Sequence, residues 1–508
     1  VEVDEDDEAY EESEDDHDQG NAGDEWMEDQ EDEETASSGV KAKRIRVPRE
    51  ALPTAAEQRR LRGSAALGNS NLMSLQVEAL LSEHRCETVH GGESEAALRG
   101  WLFKLKDFFT ALPSCQMTTS DLQGRFPCLP ISAHGRAKPV ALDFLAPASC
   151  DLVGGYLLRT LSRKGAQQIE LTVSMPASCF AARDYLNQRY LDKRTLYLAC
   201  LLEAMTAKNG KEGSLFSNIH IGVCDNDPRK PVLRLIPRDL SGDVVVCVRP
   251  VCESGTFSVK RLAPARSNLR PVAASSAASE KGGAEQPAVL LASPHYNMSV
   301  LEDQGGARLC LEVCAAALEE YHGLRDAVLL MRVWCDARRD SLFGVDSITQ
   351  DQMLLLMIFL LKRNDLSCQA EAIQIFKVLI KALSDGTLLQ QPPLILDPLQ
   401  TAATSAVSSP PLSPEDLRDF EAAYDVTLLL PALHLNVLSR CSHRALLAIQ
   451  AEAQGSLTLL QGQRDDAFDK VFLQRVPFVG RHDAFVAVPL DFLGEKQSTK
   501  GGERGKKK

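Results

Sequence analysis

The sequence predicts an α/β domain, then a mostly helical domain, then a third segment that mixes helices and strands. The α/β prediction depends on a glycine turn at 151–156, a strand at 169–173 and a long helix that begins at Asp184. Two further stretches rich in β-branched residues, 232–236 and 244–249, are bounded by proline or glycine and predict more strands. Strands that alternate with a long helix are typical of an α/β layer.

The charge of the chain is concentrated at its start. Its 508 residues carry a net charge of −14, and the first 34 of them contain 20 Asp and Glu and no Lys or Arg, so the other 474 carry +6. Like charges repel and little here is apolar, so we predict that residues 1–62 include a disordered acidic tail. This tail either only solubilises the chain or contacts basic partner proteins.

A basic run follows the acidic residues. It consists of Lys41, Lys43, Arg44 and Arg46. Such a run is typical of nuclear import signals and of nucleic-acid contacts. A chance basic linker fits the same pattern.

The composition favours neither a metal site, nor a cofactor, nor a membrane span. The chain has 14 cysteines without a CxxC pair, and Cys310 and Cys314 have no histidine or second pair beside them. The longest apolar run, 353–361, has nine residues, whereas a membrane helix needs about 20. The chain starts without an apolar leader, so we expect no secretion and reduced thiols.

Residues 95–112 predict an amphipathic helix at the start of the α/β domain, which we place at 63–265. Its apolar residues follow the three-to-four spacing of one buried face. They are Leu98, Trp101, Leu102, Leu105, Phe108, Phe109 and Leu112. We expect Trp101 to pack in the core rather than to stack on a base.

A strand at 139–145 leads into the glycine turn, where Gly154 and Gly155 let backbone amides approach a phosphate. On the next strand, Glu170 and Thr172 share one face while their neighbours face the core. Two carboxylates at this spacing could clamp a pair of divalent metals for nucleotidyl transfer. This chain offers one carboxylate and one hydroxyl.

The layout resembles, in degraded form, the nucleotidyltransferase superfamily of poly(A) polymerases and CCA-adding enzymes. The resemblance implies that the strand at 232–236 presents the third carboxylate of an active enzyme, and the polar residue there is Arg234. One glutamate cannot balance two Mg²⁺ ions, and Arg234 would repel them, so we expect no catalysis. Asp225 and Asp227 could replace the missing carboxylates, but capping a turn is their simpler role.

Three motifs carry a closer resemblance: GGYLL at 154–158, VSMP at 173–176, and RDYLNQRY at 183–190 followed by Lys193 and Arg194. They resemble the nucleolar RNA-associated protein (Nrap) family, whose members are ribosome-assembly proteins built from tandem nucleotidyltransferase-like units. The resemblance implies a non-catalytic scaffold in the nucleus and nucleolus. Its implied partners are pre-ribosomal RNA, the U3-containing small nucleolar ribonucleoprotein and other proteins of the small-subunit processome.

The helix from Asp184 carries four candidate RNA contacts. They are Arg183, Arg189, Lys193 and Arg194, and tyrosines are interleaved with them. Cations beside aromatic rings suit contacts with RNA phosphates and bases. Alternatively, the tyrosines pack inward and the cations form salt bridges with acidic neighbours.

Composition divides the rest of the chain. Stretches rich in turn-forming residues predict a linker at 266–289 and a break near 392–414. By the resemblance, a helical substrate-binding-type domain occupies 290–388 and a third Nrap-like domain occupies 389–495. The lysine-rich end of the chain predicts a basic tail at 496–508. His295 has no visible nucleophile or catalytic partner, so we predict a packing or capping role.

The resemblance covers about residues 95–475, and only about half of the family's architecture. The function it implies is that of an RNA- and protein-binding scaffold in small-subunit pre-ribosomal RNA processing. Two alternatives remain open. One is an active RNA nucleotidyltransferase with an atypical clamp of Glu170 and Asp225 or Asp227, and the other is a protein-interaction module that acts through its acidic tail.

Overall fold

Helices and strands alternate in the first part of the protein, as predicted. The computed structural model describes residues 71–85, 92–132, 139–165, 167–208, 214–224, 227–238, 240, 244–269, 292–342, 344–386, 393–396, 412–462 and 466–476. The elements of the first part are α1 (Asn71–His84), α2 (Gly92–Thr110), β1 (Cys115–Thr118), α3 (Thr119–Arg125), β2 (Ala141–Phe144), β3 (Ser149–Val153), α4 (Gly155–Leu158), β4 (Gln167–Met175), α5 (Arg189–Lys208), β5 (Phe216–Cys224), β6 (Asp227–Pro237) and β7 (Val244–Cys252).

Five of these strands form a mixed sheet in the spatial order β3-β4-β7-β6-β5. β4 runs parallel to β7, and the other neighbouring pairs are antiparallel. On one face, Ile169 and Leu171 of β4 align with Val246 and Val248 of β7, and all four are buried. They share one hydrophobic core with Leu198 of α5, because alternate side chains of a strand lie on the same face.

The amphipathic helix α2 completes this core. Trp101 is buried, and its indole Nε1 donates a hydrogen bond to the carbonyl of Leu215 at 2.9 Å. Its ring meets that of Phe216 edge-on, with the centroids 6.1 Å apart. The predicted packing role of Trp101 is therefore confirmed.

The second part is mostly helical, also as predicted. Its elements are α6 (Pro294–Leu301), a π-helical turn (Glu302–Gly306), α7 (Ala307–Glu320), α8 (Leu324–Ala337), α9 (Arg339–Leu342), α10 (Gln350–Arg363), α11 (Ala372–Ser384), β8 (Leu394–Ile395), α12 (Pro414–Ala423), β9 (Leu428–Leu430), β10 (Leu435–Asn436), α13 (His443–Gln461) and a second π-helical turn (Asp469–Leu473). None of the described helices is long and apolar enough to cross a bilayer.

The third segment packs on the helical domain. Trp334 of α8 is fully buried and donates a hydrogen bond from Nε1 to the Ser456 hydroxyl of α13 at 2.8 Å. His295 of α6 also contacts this segment, because its Nδ1 lies 2.8 Å from the Ser439 carbonyl and its ring meets that of Tyr424 edge-on. These contacts agree with the predicted packing or capping role of His295.

Two predicted positions need correction, and one strand was not predicted. The strand that enters the glycine turn is β3, whereas the 139–145 stretch contains β2, which pairs with β1. The helix predicted from Asp184 begins at Arg189, because Asn187 and Gln188 have left-handed backbones, with φ of 54° and 60°. The edge strand β5 was not predicted, because most of its side chains are exposed and its sequence lacks a buried alternation.

Several predictions fall outside the described residues. They concern the acidic tail, the basic run of Lys41, Lys43, Arg44 and Arg46, most of the 266–289 linker, and the 496–508 tail. Asp225 also lies outside the described residues. These predictions stay as the sequence left them.

Candidate nucleotidyltransferase-like cleft and nucleic-acid interface

The glycine turn lies directly against Glu170. Gly154 has a φ of 75°, which L side chains rarely adopt, and a Cβ there would lie 3.4 Å from the Glu170 carboxyl carbon. A Cβ at Gly155 would lie 3.0 Å from the Leu161 side chain and 3.4 Å from the guanidinium of Arg332. Glycine at both positions therefore permits close packing between the turn, β4 and the helical domain.

The strand beside β4 is β7, not the 232–236 stretch that was expected to present the third carboxylate. Glu170 lies opposite Cys247, and Thr172 lies opposite Arg249. Arg234 of β6 lies on the far side of Cys247, two strand spacings or roughly 10 Å from Glu170. The basic residue next to the glutamate strand is therefore Arg249.

Arg249 is held by the helical domain. Its Nη2 lies 3.8 Å from a carboxylate oxygen of Glu302, and its side chain is only 10% exposed. Beside it, the Thr172 hydroxyl donates a hydrogen bond to the Asp151 carbonyl at 3.0 Å. Both polar side chains at this place are thus engaged within the protein.

The β7 residues that lie opposite Glu170 and Thr172 supply no carboxylate ligand for a divalent metal. Magnesium prefers carboxylate and other oxygen ligands, whereas the place beside Glu170 holds a thiol, a hydroxyl that already donates, and the always-charged guanidinium of Arg249. No group of three His, Cys, Asp or Glu in the described part of the chain could hold a metal ion.

Asp227 has the structural role that the sequence favoured for it. It begins β6, accepts hydrogen bonds from the backbone and side chain of Arg229 at 3.0 Å, and lies 3.6 Å from Arg440. Burial would raise the pKa of Asp227, but the hydrogen bonds and charge of Arg229 hold it below its usual value. The carboxylate therefore stabilises the start of the strand.

A buried ion cluster joins the sheet to the π-helical turn at Glu302–Gly306. Asp303 lies at its centre, 3.2 Å from Arg194, 3.1 Å from Lys230 and 3.0 Å from the hydroxyl of Tyr190. The ammonium of Lys230 also lies 2.6 Å from Glu302. Charged groups this deep in a protein are stable only when paired and hydrogen bonded.

The cluster shifts the pKa values of its members in opposite directions. Burial would raise the pKa of Glu302, but Lys230 and Arg249 hold it below its usual value. Burial would lower the pKa of Lys230, but Asp303 and Glu302 raise it. The cluster therefore keeps both Glu302 and Lys230 charged in the folded protein.

The four candidate RNA contacts divide into two pairs. Arg183 and Arg189 are exposed. Arg194 is fully buried between Asp303 and the Pro231 carbonyl, so its prediction as an RNA contact is wrong.

Lys193 is only 12% exposed and lies 2.7 Å from a carboxylate oxygen of Asp184. It also donates a hydrogen bond to the Cys179 carbonyl at 2.7 Å. Tyr190 and Tyr197 are buried as well. For Lys193 and Arg194, the structure therefore agrees with the alternative prediction, in which the tyrosines pack inward and the cations form salt bridges. Arg183 and Arg189 remain as the accessible cations.

A cavity of about 970 Å³ opens between the sheet and helices α8 and α10. Its cationic residues are Lys164, Arg234, Arg332 and Arg339. Three of them have acidic partners, as Lys164 pairs with Glu83, Arg332 with Asp351 and Arg339 with Asp336. Arg234 is exposed and forms no ion pair with any carboxylate among the described residues.

The sequence alone did not predict this cavity, which we call the groove. Arg234 was noted only as an obstacle to metal binding, although polar alternation on β6 could have indicated that it faces solvent. Arg332 and Arg339 come from the helical domain, some 100 residues later in the chain, so no local pattern links them to Arg234.

Two family models match consecutive parts of the chain. The Nrap protein domain 1 matches residues 119–308, and the Nrap protein PAP/OAS-like domain matches residues 323–475. The second description agrees with the predicted nucleotidyltransferase-like and poly(A)-polymerase-type fold.

Curated relatives match most of the chain. Nucleolar protein 6 of Xenopus tropicalis is 29% identical over 446 residues, covering 85% of this chain and 36% of the relative. Nucleolar protein 6 of Homo sapiens is 28% identical, covering 87% of this chain and 37% of the relative. The chain spans about a third of the length of these relatives, less than the half expected from the sequence.

The solved structures that match this chain include two terminal transferases. The Cid1 poly(U) polymerase bound to Mg and 3′-dATP has a TM-score of 0.42 and 9% identity, and covers 80% of this chain and all of that chain. A cytoplasmic RNA terminal U-transferase has a TM-score of 0.41 and 10% identity, and covers 80% of this chain and 98% of that chain.

The two family models, placed in order along 119–308 and 323–475, show that the chain belongs to the Nrap family.

Proposed function

We propose that this chain is a non-catalytic scaffold that binds RNA and proteins during ribosome biogenesis in the nucleolus. The proposal is supported by the two Nrap domains and by relatives named Nucleolar protein 6. Small-subunit pre-ribosomal RNA, the U3-containing ribonucleoprotein and other processome proteins are the proposed partners. They are proposed on the family resemblance, because the chain spans about a third of its relatives.

The observation that carries the non-catalytic assignment is Arg249 beside the glutamate strand. It lies opposite Thr172 and is paired with Glu302. Nucleotidyl transfer with two metals needs carboxylates that balance the metal charge. A guanidinium at that place adds positive charge instead, and its partner Glu302 is also engaged with Lys230.

Two surfaces supply cations for RNA. One holds Arg183 and Arg189, just before and at the start of α5, and the other is the groove with Arg234. Exposed arginines suit phosphate oxygens, because the planar guanidinium donates several hydrogen bonds in a fixed geometry. The groove also has walls from both domains.

A primer-extension assay tests the absence of catalysis. The full chain is incubated with a single-stranded RNA, each nucleoside triphosphate in turn, and Mg²⁺ or Mn²⁺. We expect no extension of the RNA 3′ end. Extension that disappears in Glu170→Gln would overturn the non-catalytic assignment and favour the atypical-clamp alternative.

A salt series tests RNA binding and separates the two surfaces. We expect the Arg183→Ala/Arg189→Ala double variant to bind single-stranded RNA more weakly, with a log–log salt slope shallower by roughly 1.4, since each lost phosphate contact removes about 0.7. Arg234→Ala should reduce the slope by roughly 0.7. Arg308→Ala is the matched control, because Arg308 is 85% exposed and pairs with Glu312 of the same helix.

Arg194 and Lys193 are left unchanged in this experiment, because their loss would disturb the fold. Unchanged binding in both variants would exclude both surfaces. No binding by the unmodified chain would favour the protein-interaction alternative. Removal of residues 1–34, which hold 20 acidic side chains, should then abolish capture of a basic protein such as a histone.

A further inference from the structure

Two thiols from separate elements are in contact on the α5 side of the sheet. The Sγ of Cys115, at the start of β1, lies 3.8 Å from the Sγ of Cys200 in α5. The two residues are 85 positions apart in sequence. Cys115 is exposed, whereas Cys200 is buried.

This asymmetry gives the two thiols different chemistry. Burial raises the pKa of Cys200, and the adjacent Cys115 raises it further, so Cys200 stays protonated near neutral pH. Cys115 reaches solvent and can meet a dissolved oxidant. The thiolate is the reactive form of cysteine, and accessibility decides which thiol is oxidised first.

We propose that Cys115 and Cys200 are a peroxide-sensitive pair that closes to a disulfide. The Cys115 thiolate attacks one oxygen of hydrogen peroxide, the O–O bond breaks, and hydroxide leaves, so that Cys115 becomes a sulfenic acid. The Cys200 sulfur then attacks the Cys115 sulfur. The S–O bond breaks, and the departing hydroxide takes the thiol proton as water, so peroxide is reduced to two waters and two thiols are oxidised to one disulfide.

Formation of this bond brings the two sulfur atoms from 3.8 Å apart to about 2.05 Å. The product would tie the two-stranded sheet of β1 and β2 to α5. Since the Glu170 face of β4 looks towards the helical domain, with Gly306 and Asp351 across the cleft, the bond forms away from that cleft.

Peptide mapping under non-reducing conditions tests the proposal. The reduced full chain is treated with hydrogen peroxide, its remaining thiols are alkylated, and it is digested without a reductant. We expect a cross-linked peptide that contains Cys115 and Cys200 and is lighter than the two separate peptides by two hydrogen atoms. The cross-link should be lost in Cys115→Ser and Cys200→Ser and retained in Cys128→Ser, since Cys128 is also exposed.

A second measurement covers variants that disturb the fold. In Cys200→Ser, with folding checked by circular dichroism, a sulfenic-acid probe such as dimedone should label Cys115 more strongly than in the unmodified chain. Oxidation should raise Tm by a few degrees, of the order expected from a cross-linked loop, in the unmodified chain but not in Cys200→Ser. Cys115 labelled by the probe in the unmodified chain without any cross-link to Cys200 would overturn the proposal.

Discussion

The two faces of the five-stranded sheet come from the same strands but have different roles. On one face, residues such as Leu171 and Val248 are buried in an apolar core with α5. On the other, Thr172 and Arg249 look towards the helical domain, where Arg249 pairs with Glu302. The apolar face therefore specifies the fold, while the polar face decides what the domain can bind and how it joins the helical domain.

The largest expected effect comes from the ion cluster between the domains. Asp303→Ala should reduce the free energy of unfolding by about 3–5 kcal/mol, because it leaves buried cations without their partner. Asp303 contacts both Arg194 and Lys230. Urea denaturation measures the loss.

Glu312→Ala is the control for that variant. Glu312 pairs with Arg308 at 3.1 Å, both side chains are exposed, and an exposed pair contributes at most about 1 kcal/mol. Equal losses in the two variants would show that the domains are not joined by the buried cluster.

The apolar face gives the next effect. Leu233 is fully buried on β6 opposite Val248, so Leu233→Ala should cost about 2–5 kcal/mol through lost burial and a cavity. Thr172→Ala, on the opposite face, removes one hydrogen bond and should cost about 1 kcal/mol. Denaturation curves measure both losses in the free energy of unfolding. Equal losses would contradict the conclusion that the apolar face contributes more to stability than the polar face.

The pH dependence of stability tests whether the ionised carboxylate of Glu302 stabilises the polar face. The pKa of Glu302 is below its ordinary value of 4.5 in the folded protein. Its contribution is therefore complete above about pH 4.5 and is lost as pH falls below that value. The pKa of Glu302 is lowered to about 2, so the difference in unfolding free energy between the unmodified chain and Glu302→Gln should shrink steadily from about pH 4.5 to about pH 2. A constant difference over this range would contradict the ionic role.

The smallest expected effect is at Arg234. Its side chain is exposed, so Arg234→Ala should change the unfolding free energy by no more than about 0.5 kcal/mol. A thermal melt checks this before RNA binding is compared. A larger loss would mean that Arg234 supports the sheet, where it packs across Gly222, whose added Cβ would lie 2.7 Å from the Arg234 Nε.

Much of the fold could be predicted from local patterns. The burial of Trp101 and the helices after residue 294 follow from apolar spacing, which reports a buried face directly. The position of β5 could not be predicted, because an exposed edge strand has no apolar alternation to report.

The site was harder to predict because its contacts are distant in sequence. Arg194 looked like a surface cation, yet Asp303, more than 100 residues later, buries it. The neighbour of β4 is β7, although β6 comes first along the chain. Spacing along a sequence gives the face of a residue, but strand order and domain contacts decide what that face meets.

The ion cluster also determines where the protein can be divided. A fragment that ended at residue 265 would keep Arg194 and Lys230 but would lack the carboxylates of Glu302 and Asp303 that neutralise them. The first family model extends to residue 308 and so includes both acids. We therefore expect the smallest stable fragment of the α/β domain to include the π-helical turn at its carboxyl end, because the carboxylates of this turn neutralise the buried cations of α5 and β6.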